Sequence, residues 1–311
     1  MEYSTLGIMM HKKCTAECEI CSVECSPHCS EELDEDEIKR FISSCKNTTI
    51  KKVSFTGGEP FIRYEVLVSL IIHCKNEGFI PTTVTNGYWA TTYEIAYKKL
   101  KMLKDCGLAR LNVSYDHYHA KYVNKNNIVN IVKACNRLNL PFNIALIKRK
   151  GENVGDIIDS FDDDCGVVNF LTAPCEPTGN AKKNFNDDSF IKNIENNHMI
   201  CPYNGIITLF YDGNIYPCCS HYIFGTKLTI GNYKNLDMTS VLDKIRNNGL
   251  LYLLRNHGFD PILNMDIERA EIPRYLSSPC EACQILFADG VSKYSNSVKN
   301  YICDMKKDRN V

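Results

Sequence analysis

Short β-rich runs alternate with helical patterns through the first half of the chain, and this alternation constrains the fold most. Strands are expected at 6–10, 53–56, 82–85, 111–114, 142–147 and 167–172, with helices near 34–46, 64–77, 91–106, 123–138 and 154–161. Asp34 with Glu37 three residues on reads as a helix start, and Gly107 as a C-terminal cap. Repeated β-then-α order implies an α/β fold with a parallel sheet and right-handed crossovers. Six such strands build either an open sheet or a partial (β/α)6 barrel, and periodicity alone does not choose. In both, the functional end is the C-terminal edge of the strands. The polar motifs fall there: Cys14–Cys21 after the first strand, "TGGEP" after the second, "TNG" after the third and "SYD" after the fourth.

The alternation stops near residue 180, which suggests a unit over 1–180 and a smaller one over 181–311. "EPTGNAKKNFNDDS" reads as a linker or exposed loop. "IITLFYDGNIYPCC" reads as a hairpin turning at Asp212-Gly213, followed by one helix in "TSVLDKIRNNGLLYLLRNHG" and then "SSPCEAC".

With 311 residues, 44% of them hydrophobic, the chain can bury a large core, and a net charge of −1 argues against nucleic acid or an anionic membrane as partner. No apolar run is long enough to span a bilayer, and the N-terminus lacks signal-peptide order. A cytoplasmic location is expected. There, seventeen cysteines point to metal or catalysis rather than to disulfides. Cys45, Cys74, Cys106 and Cys135 continue apolar helix faces and are expected in the core. Cys165, Cys175 and Cys303 are core or loop.

The other cysteines form two groups. In the first, Cys14-x3-Cys18-x2-Cys21 can hold three irons of a [4Fe–4S] cluster and leave the fourth open. Zinc is the alternative, with Cys25 or Cys29 as a further ligand. In the second, Cys201, Cys218, Cys280 and Cys283 can complete an iron–sulfur or a zinc site. Cys219 stands directly beside Cys218. Neighbours on a strand point to opposite faces, so if Cys218 faces the metal, Cys219 faces the barrel mouth, where a free thiol can give a hydrogen atom to a carbon radical. The alternatives are that Cys219 is the ligand, or that it only packs. Gly57 and Gly58 allow close approach of a ligand, Glu59 offers charge to an ammonium, and Asn86 and Ser114 end later strands on the same rim. Asp116, His117 and His119 can face a substrate or bond their own loop.

CxxxCxxC after the first strand with Gly57-Gly58-Glu59 after the second resembles the radical S-adenosylmethionine (SAM) enzymes over roughly residues 4–180. The resemblance implies a partial barrel, a cluster held by Cys14, Cys18 and Cys21, and SAM bound beside Gly57, Gly58, Glu59, Asn86 and Ser114. A second [4Fe–4S] cluster on Cys201, Cys218, Cys280 and Cys283 is the usual companion. Across "VSFTGGEPF", "VSYDHYHAKYV", "CPYNGI", "DGNIYPCCSHYIFGTKLTI", "LLYLLRNHGF" and "CEAC", the chain is similar to the radical SAM peptide epimerases of epipeptide biosynthesis. That similarity implies conversion of L- to D-residues in a ribosomally made precursor peptide, with Cys219 as hydrogen donor. It also implies an electron donor such as flavodoxin or ferredoxin, and a monomer. The family's peptide-contacting Asp, four residues after the first auxiliary cysteine, is replaced here by Gly205, after Asn204. A crosslinking radical SAM maturase and a zinc-binding protein without catalysis are the rival expectations.

Overall fold

The computed structural model describes residues 2–161, 166–263, 272–291, 294 and 298–303. Cys165, expected in core or loop, lies outside the described residues. The first strands, β1 (Thr5–Met9), β2 (Lys52–Thr56), β3 (Ile80–Thr85), β4 (Arg110–Ser114), β5 (Phe142–Lys148) and β6 (Phe170–Pro174), pair in parallel and in sequence order. Helices α1 (Glu35–Ser43), α2 (Tyr64–Asn76), α3 (Tyr93–Cys106), α4 (Lys125–Leu138) and the short α5 (Gly155–Asp159) connect them.

Alternation explains the layers. In β2 and β4 every second residue is buried. Val53, Phe55, Leu111 and Val113, all at 0% exposure, meet the apolar stripes of the helices, such as Phe41, Leu70, Leu103 and Ile131. Burying each of these side chains contributes roughly 1.5–3 kcal/mol. The intervening residues face the other side of the sheet, where the site lies. Asp34 Oδ1 accepts from the Glu37 N–H at 3.0 Å, and Gly107 closes α3 at φ +118°, as expected.

The helix-face cysteines divide. Cys45, Cys74 and Cys135 are fully buried, whereas Cys106 is only partly buried at the core margin beside Met102. Cys175 is buried with Ala181 and Phe190, and Cys303 is exposed.

Three expectations change in the second half. The stretch expected as a linker contains α6 (Gly179–Asn184), anchored because Asn180 donates through its backbone N–H to Cys21 O (2.9 Å) and through Nδ2 to Cys18 O (3.2 Å). After the short β7 (Ile194–Glu195) comes the expected hairpin, β8 (Ile206–Leu209) and β9 (Asn214–Tyr216), turning at Gly213 with φ +84°. It is not set apart from the sheet. β8 runs parallel to β1, and β9 and β10 (Gly231–Asn232) extend the sheet to nine strands in the order β10-β9-β8-β1-β2-β3-β4-β5-β6. Gly7 is thereby flanked by Ser54 on β2 and Thr208 on β8.

The single helix expected after the hairpin is two, α7 (Met238–Arg246) and α8 (Gly249–Asn256). Asn248 ends the run because its side chain caps the second helix, accepting from Leu251 N–H at 3.0 Å. The remaining elements are α9 (Asp260–Leu263), β11 (Tyr275–Leu276), paired with β7, and α10 (Pro279–Phe287).

Candidate active site

A cavity of about 660 Å³ opens at the C-terminal ends of β1–β5. The loop after β1 brings Cys14, Cys18 and Cys21 to its wall, and Gly57, Gly58, Glu59, Asn86 and Ser114 line it from the following strands. Every residue expected at the first cluster and at SAM therefore shares one cavity.

The two glycines also answer a steric demand that the sequence did not reveal. A Cβ on Gly58 would stand 1.9 Å from Lys13 O, and one on Gly57 would stand 2.7 Å from His11 O. The close approach is thus to the cysteine loop itself. Gly58 N–H donates to His11 O at 2.7 Å and Glu59 N–H to Lys13 O at 2.9 Å, which fixes where that loop enters the cavity.

Glu59 is 1% exposed, and internal donors hold its carboxylate. Phe61 N–H (3.1 Å) and the Thr85 hydroxyl (2.8 Å) donate to Oε1, and Asn86 N–H (2.6 Å) donates to Oε2. Burial pushes its pKa up to about 7 against these bonds. Glu59 therefore ties β2 to β3, and through Asn86 it reaches the cluster loop. Asn86 Nδ2 donates to Thr15 Oγ1 at 3.1 Å and lies 3.7 Å from Cys14 Sγ.

In the loop after β4, Asp116 is fully buried and accepts from Tyr118 N–H, His119 N–H and Ile147 N–H. His119 Nδ1 lies 2.8 Å from Asp116 Oδ1, which orients the ring, and His119 lines the cavity. Burial pushes the Asp116 pKa up, but its bonds to His119 and the neighbouring N–H groups outweigh that and leave it low. His117 points away and bonds Asn153 O at 3.0 Å, so it serves its own loop.

The thiols fit a metal centre by their chemistry. Burial pushes Cys14 up to about 12 and raises Cys18 further, so neither stays a thiolate without a cation. Cys21 is held down at about 6 by bonds from the Cys25 thiol and backbone, including Cys25 N–H to Cys21 Sγ at 3.3 Å. Among the described residues no three His, Cys, Asp or Glu side chains converge closely enough for a single metal ion. Cys14, Cys18 and Cys21 line one wall of the same cavity.

The C-terminal cysteines line a second, smaller cavity. Cys201, Cys218, Cys280 and Cys283 border it with Pro217, Tyr222 and Arg255. Burial raises all four, Cys280 to about 11 and Cys218 to about 12. This donor set suits a fully coordinated centre with no open position.

The vicinal pair lies just beyond the end of β9, not within a strand, yet its members still part: Cys218 lines the second cavity and Cys219 the first. Asn204 Nδ2 donates to Cys219 Sγ at 2.8 Å. Gly205 beside it has φ +74°, and its carbonyl accepts from Ser4 N–H (3.0 Å) and Thr5 N–H (3.3 Å), fastening this segment to β1. Glu176 and His221, 3.3 Å apart, line the same cavity as Cys219. The sequence offered no signal for Glu176 or His221, because no motif spans the folds that bring them there, and Asn204 was marked only as the neighbour of Gly205.

A parallel βα sheet with three cysteines after β1 and a buried Gly-Gly-Glu turn after β2 defines a class. The family model of the radical SAM superfamily matches residues 8–163, and the chain belongs to that superfamily. Among its relatives is YydG of Bacillus subtilis (strain 168), a protein named for peptide biosynthesis. It is 31% identical over 299 residues, covering 92% of this chain and 93% of that protein. A GTP 3′,8-cyclase of Campylobacter fetus is 32% identical over 167 residues, 49% of each chain. Among solved structures, SuiB of Streptococcus suis bound to S-adenosylmethionine superposes with a TM-score of 0.58 at 16% identity, over 81% of this chain and 67% of that one. The enzyme anSMEcpe with bound AdoMet and Cp18Cys peptide gives 0.57 at 12% identity, over 98% and 99%. These superpositions show the same fold. Among the described residues no helix is long and apolar enough to cross a membrane.

Proposed function

We propose that this chain modifies a ribosomally made peptide by converting L-residues to D-residues, with Cys219 returning hydrogen to the α-carbon. The observation that carries the proposal is the division of the vicinal pair. Cys219 shares the cavity of Cys14, Cys18, Cys21 and the Gly57–Glu59 turn, while Cys218 joins the other cysteines. The 31% identity with YydG over nearly the whole chain supports a peptide substrate.

Cys14, Cys18 and Cys21 would hold the first [4Fe–4S] cluster, Cys201, Cys218, Cys280 and Cys283 the second, and Gly57, Gly58, Glu59, Asn86 and Ser114 would border SAM. When bound, the first cluster with SAM supplies a 5′-deoxyadenosyl radical that removes the Cα hydrogen of the peptide. The chain's own contribution is the thiol on the opposite side. The Cys219 S–H bond breaks as the new Cα–H bond forms, leaving a thiyl radical. One electron from a low-potential carrier of the flavodoxin or ferredoxin class and one proton from solvent restore the thiol. A donor of this kind has to be protonated, and burial raises the Cys219 pKa against the opposing Asn204 bond. Thiol protons exchange with solvent, so the returned hydrogen carries the solvent isotope.

The test is anaerobic reconstitution with iron and sulfide, then SAM, reductant and the peptide encoded beside the gene, in D2O. One deuterium gained at a single Cα, abolished by Cys219→Ala while 5′-deoxyadenosine still forms, is the expected result. Loss of two hydrogens from the peptide would replace epimerisation with crosslinking.

A further inference from the structure

We infer that Arg255 is a positioning residue of the second cysteine site and holds that site at a higher reduction potential than its thiols alone would give. The inference rests on reading the site as an iron–sulfur centre.

Arg255 stands on α8 and lines the second cavity with all four cysteines. Its guanidinium packs against two rings that also meet edge-on, 4.4 Å from the Tyr203 centroid and 5.3 Å from that of Tyr3. Nη2 donates to Pro217 O at 3.2 Å and to the Tyr3 hydroxyl, and Tyr3 in turn donates to Pro217 O at 2.8 Å. Arg255 and Tyr3 therefore hold together the carbonyl directly before Cys218-Cys219. Cys201 lines the same cavity as the guanidinium.

One donor is left over. Arg255 Nε is fully enclosed and has no hydrogen-bond partner among the described residues. Leaving a buried charged N–H unpaired is costly, so its retention beside four thiols needs a reason. A group with negative charge in that cavity supplies one.

The consequence is electrostatic. Reduction adds an electron beside a fixed, partly buried cation in surroundings of low dielectric, which favours the reduced state. Net charge and hydrogen bonds to sulfur are the protein's levers on cluster potential. Tyr3, Pro217 and Arg255 couple that lever to the backbone carrying Cys219, the group that has to be re-reduced after each turnover.

The test uses the full chain with Cys14→Ala, Cys18→Ala and Cys21→Ala, so that iron is confined to the second site. Iron and sulfide are counted and the midpoint is read by potentiometric EPR for Arg255 and for Arg255→Met, Arg255→Gln and Arg255→Lys. In Arg255→Met and Arg255→Gln the reduced-to-oxidised ratio at a fixed potential should fall about tenfold or more, ~59 mV for one electron. Arg255→Lys keeps the charge and should recover most of the shift. A purely structural role would lower iron content without moving the midpoint of the clusters that remain. An unchanged midpoint in Arg255→Gln with iron bound overturns the inference. If Arg255→Met and Arg255→Gln both bind no iron while Arg255→Lys binds it at the original midpoint, charge is required and the inference stands. Failure of the underlying reading looks different: the parent triple variant, with Arg255 intact, would carry zinc or no metal.

Discussion

A hydrogen-atom donor is useful only while protonated and only when aimed, and in the role proposed for Cys219 these needs fall to different causes. Burial keeps the proton on, whereas Asn204, 2.8 Å away, holds the sulfur in place. Asn204→Ala should lower peptide turnover about tenfold, the worth of one hydrogen bond of ~1.5 kcal/mol, while 5′-deoxyadenosine formation continues. Undiminished turnover measured by peptide mass would remove Asn204 from the site. Glu59 gives a second prediction at this scale. Its folded pKa of about 7 lies above its ordinary value of 4.5. Its contribution is therefore most favourable below about pH 4.5 and is lost as pH rises through 7, by on the order of 3 kcal/mol. Urea unfolding of the metal-free protein should show stability falling over this window relative to Glu59→Gln, with the difference levelling above pH 8. A pH-independent difference would mean that Glu59 stays ionised throughout. Cys14, Cys18 and Cys21, and the pair Cys280 and Cys283, stand out in the sequence by their spacing, whereas Cys201 and Cys218 lie far from that pair in the chain and only the fold brings them to one cavity with it. The contacts of Asn204 with Cys219 and of Arg255 with Pro217 O were not legible, since each joins segments far apart in the chain.

At the scale of elements, the βα alternation and its caps could be read locally because period and capping chemistry are local. The linker reading failed for a physical reason. Gly179, at φ +50°, packs against the backbone of Cys21 and Ser22, so a Gly/Asn-rich stretch becomes a short helix braced on the cysteine loop. The helix at 238–256 was split by Asn248, whose side chain competes for the backbone. The same close packing yields a prediction at Gly58. A methyl group 1.9 Å from Lys13 O cannot be accommodated without pushing the cysteine loop away. Gly58→Ala should therefore reconstitute with about half the iron of the parent, losing the first cluster and keeping the second. Full iron content in that variant would show that the loop tolerates displacement.

At the scale of the whole molecule, the boundary suggested near residue 180 meets a sheet that crosses it. β8 pairs with β1, and Ile207, Leu209, Ile215, Met238, Val241 and Ile245 pack into the same core as Leu6, Phe41 and Phe55. A second core gathers Leu253, Leu254, Phe259, Ile262, Leu276 and Phe287 beside Cys201, Cys218 and Cys283, and includes Met9, Cys25 and Phe210 from earlier in the chain. Both cores thus draw on residues from either side of 180, with Leu251 of α8 in the first and Met9 of β1 in the second. A metal held by four cysteines adds its binding free energy to the unit it closes. Chelation, or Cys280→Ala with Cys283→Ala, should therefore release amide protection in α8 and α10 first. β8, β9 and α7 should keep the slow exchange of β1–β4. Hydrogen exchange read by mass spectrometry distinguishes the cases directly. If everything beyond residue 180 opened together on metal loss, the hairpin would belong to the cysteine unit and its pairing with β1 would contribute little. If only α8–α10 open, the wall carrying Cys219 stays on the barrel side, and the four-cysteine site can be emptied without dismantling the cavity that Cys219 shares with Cys14, Cys18 and Cys21.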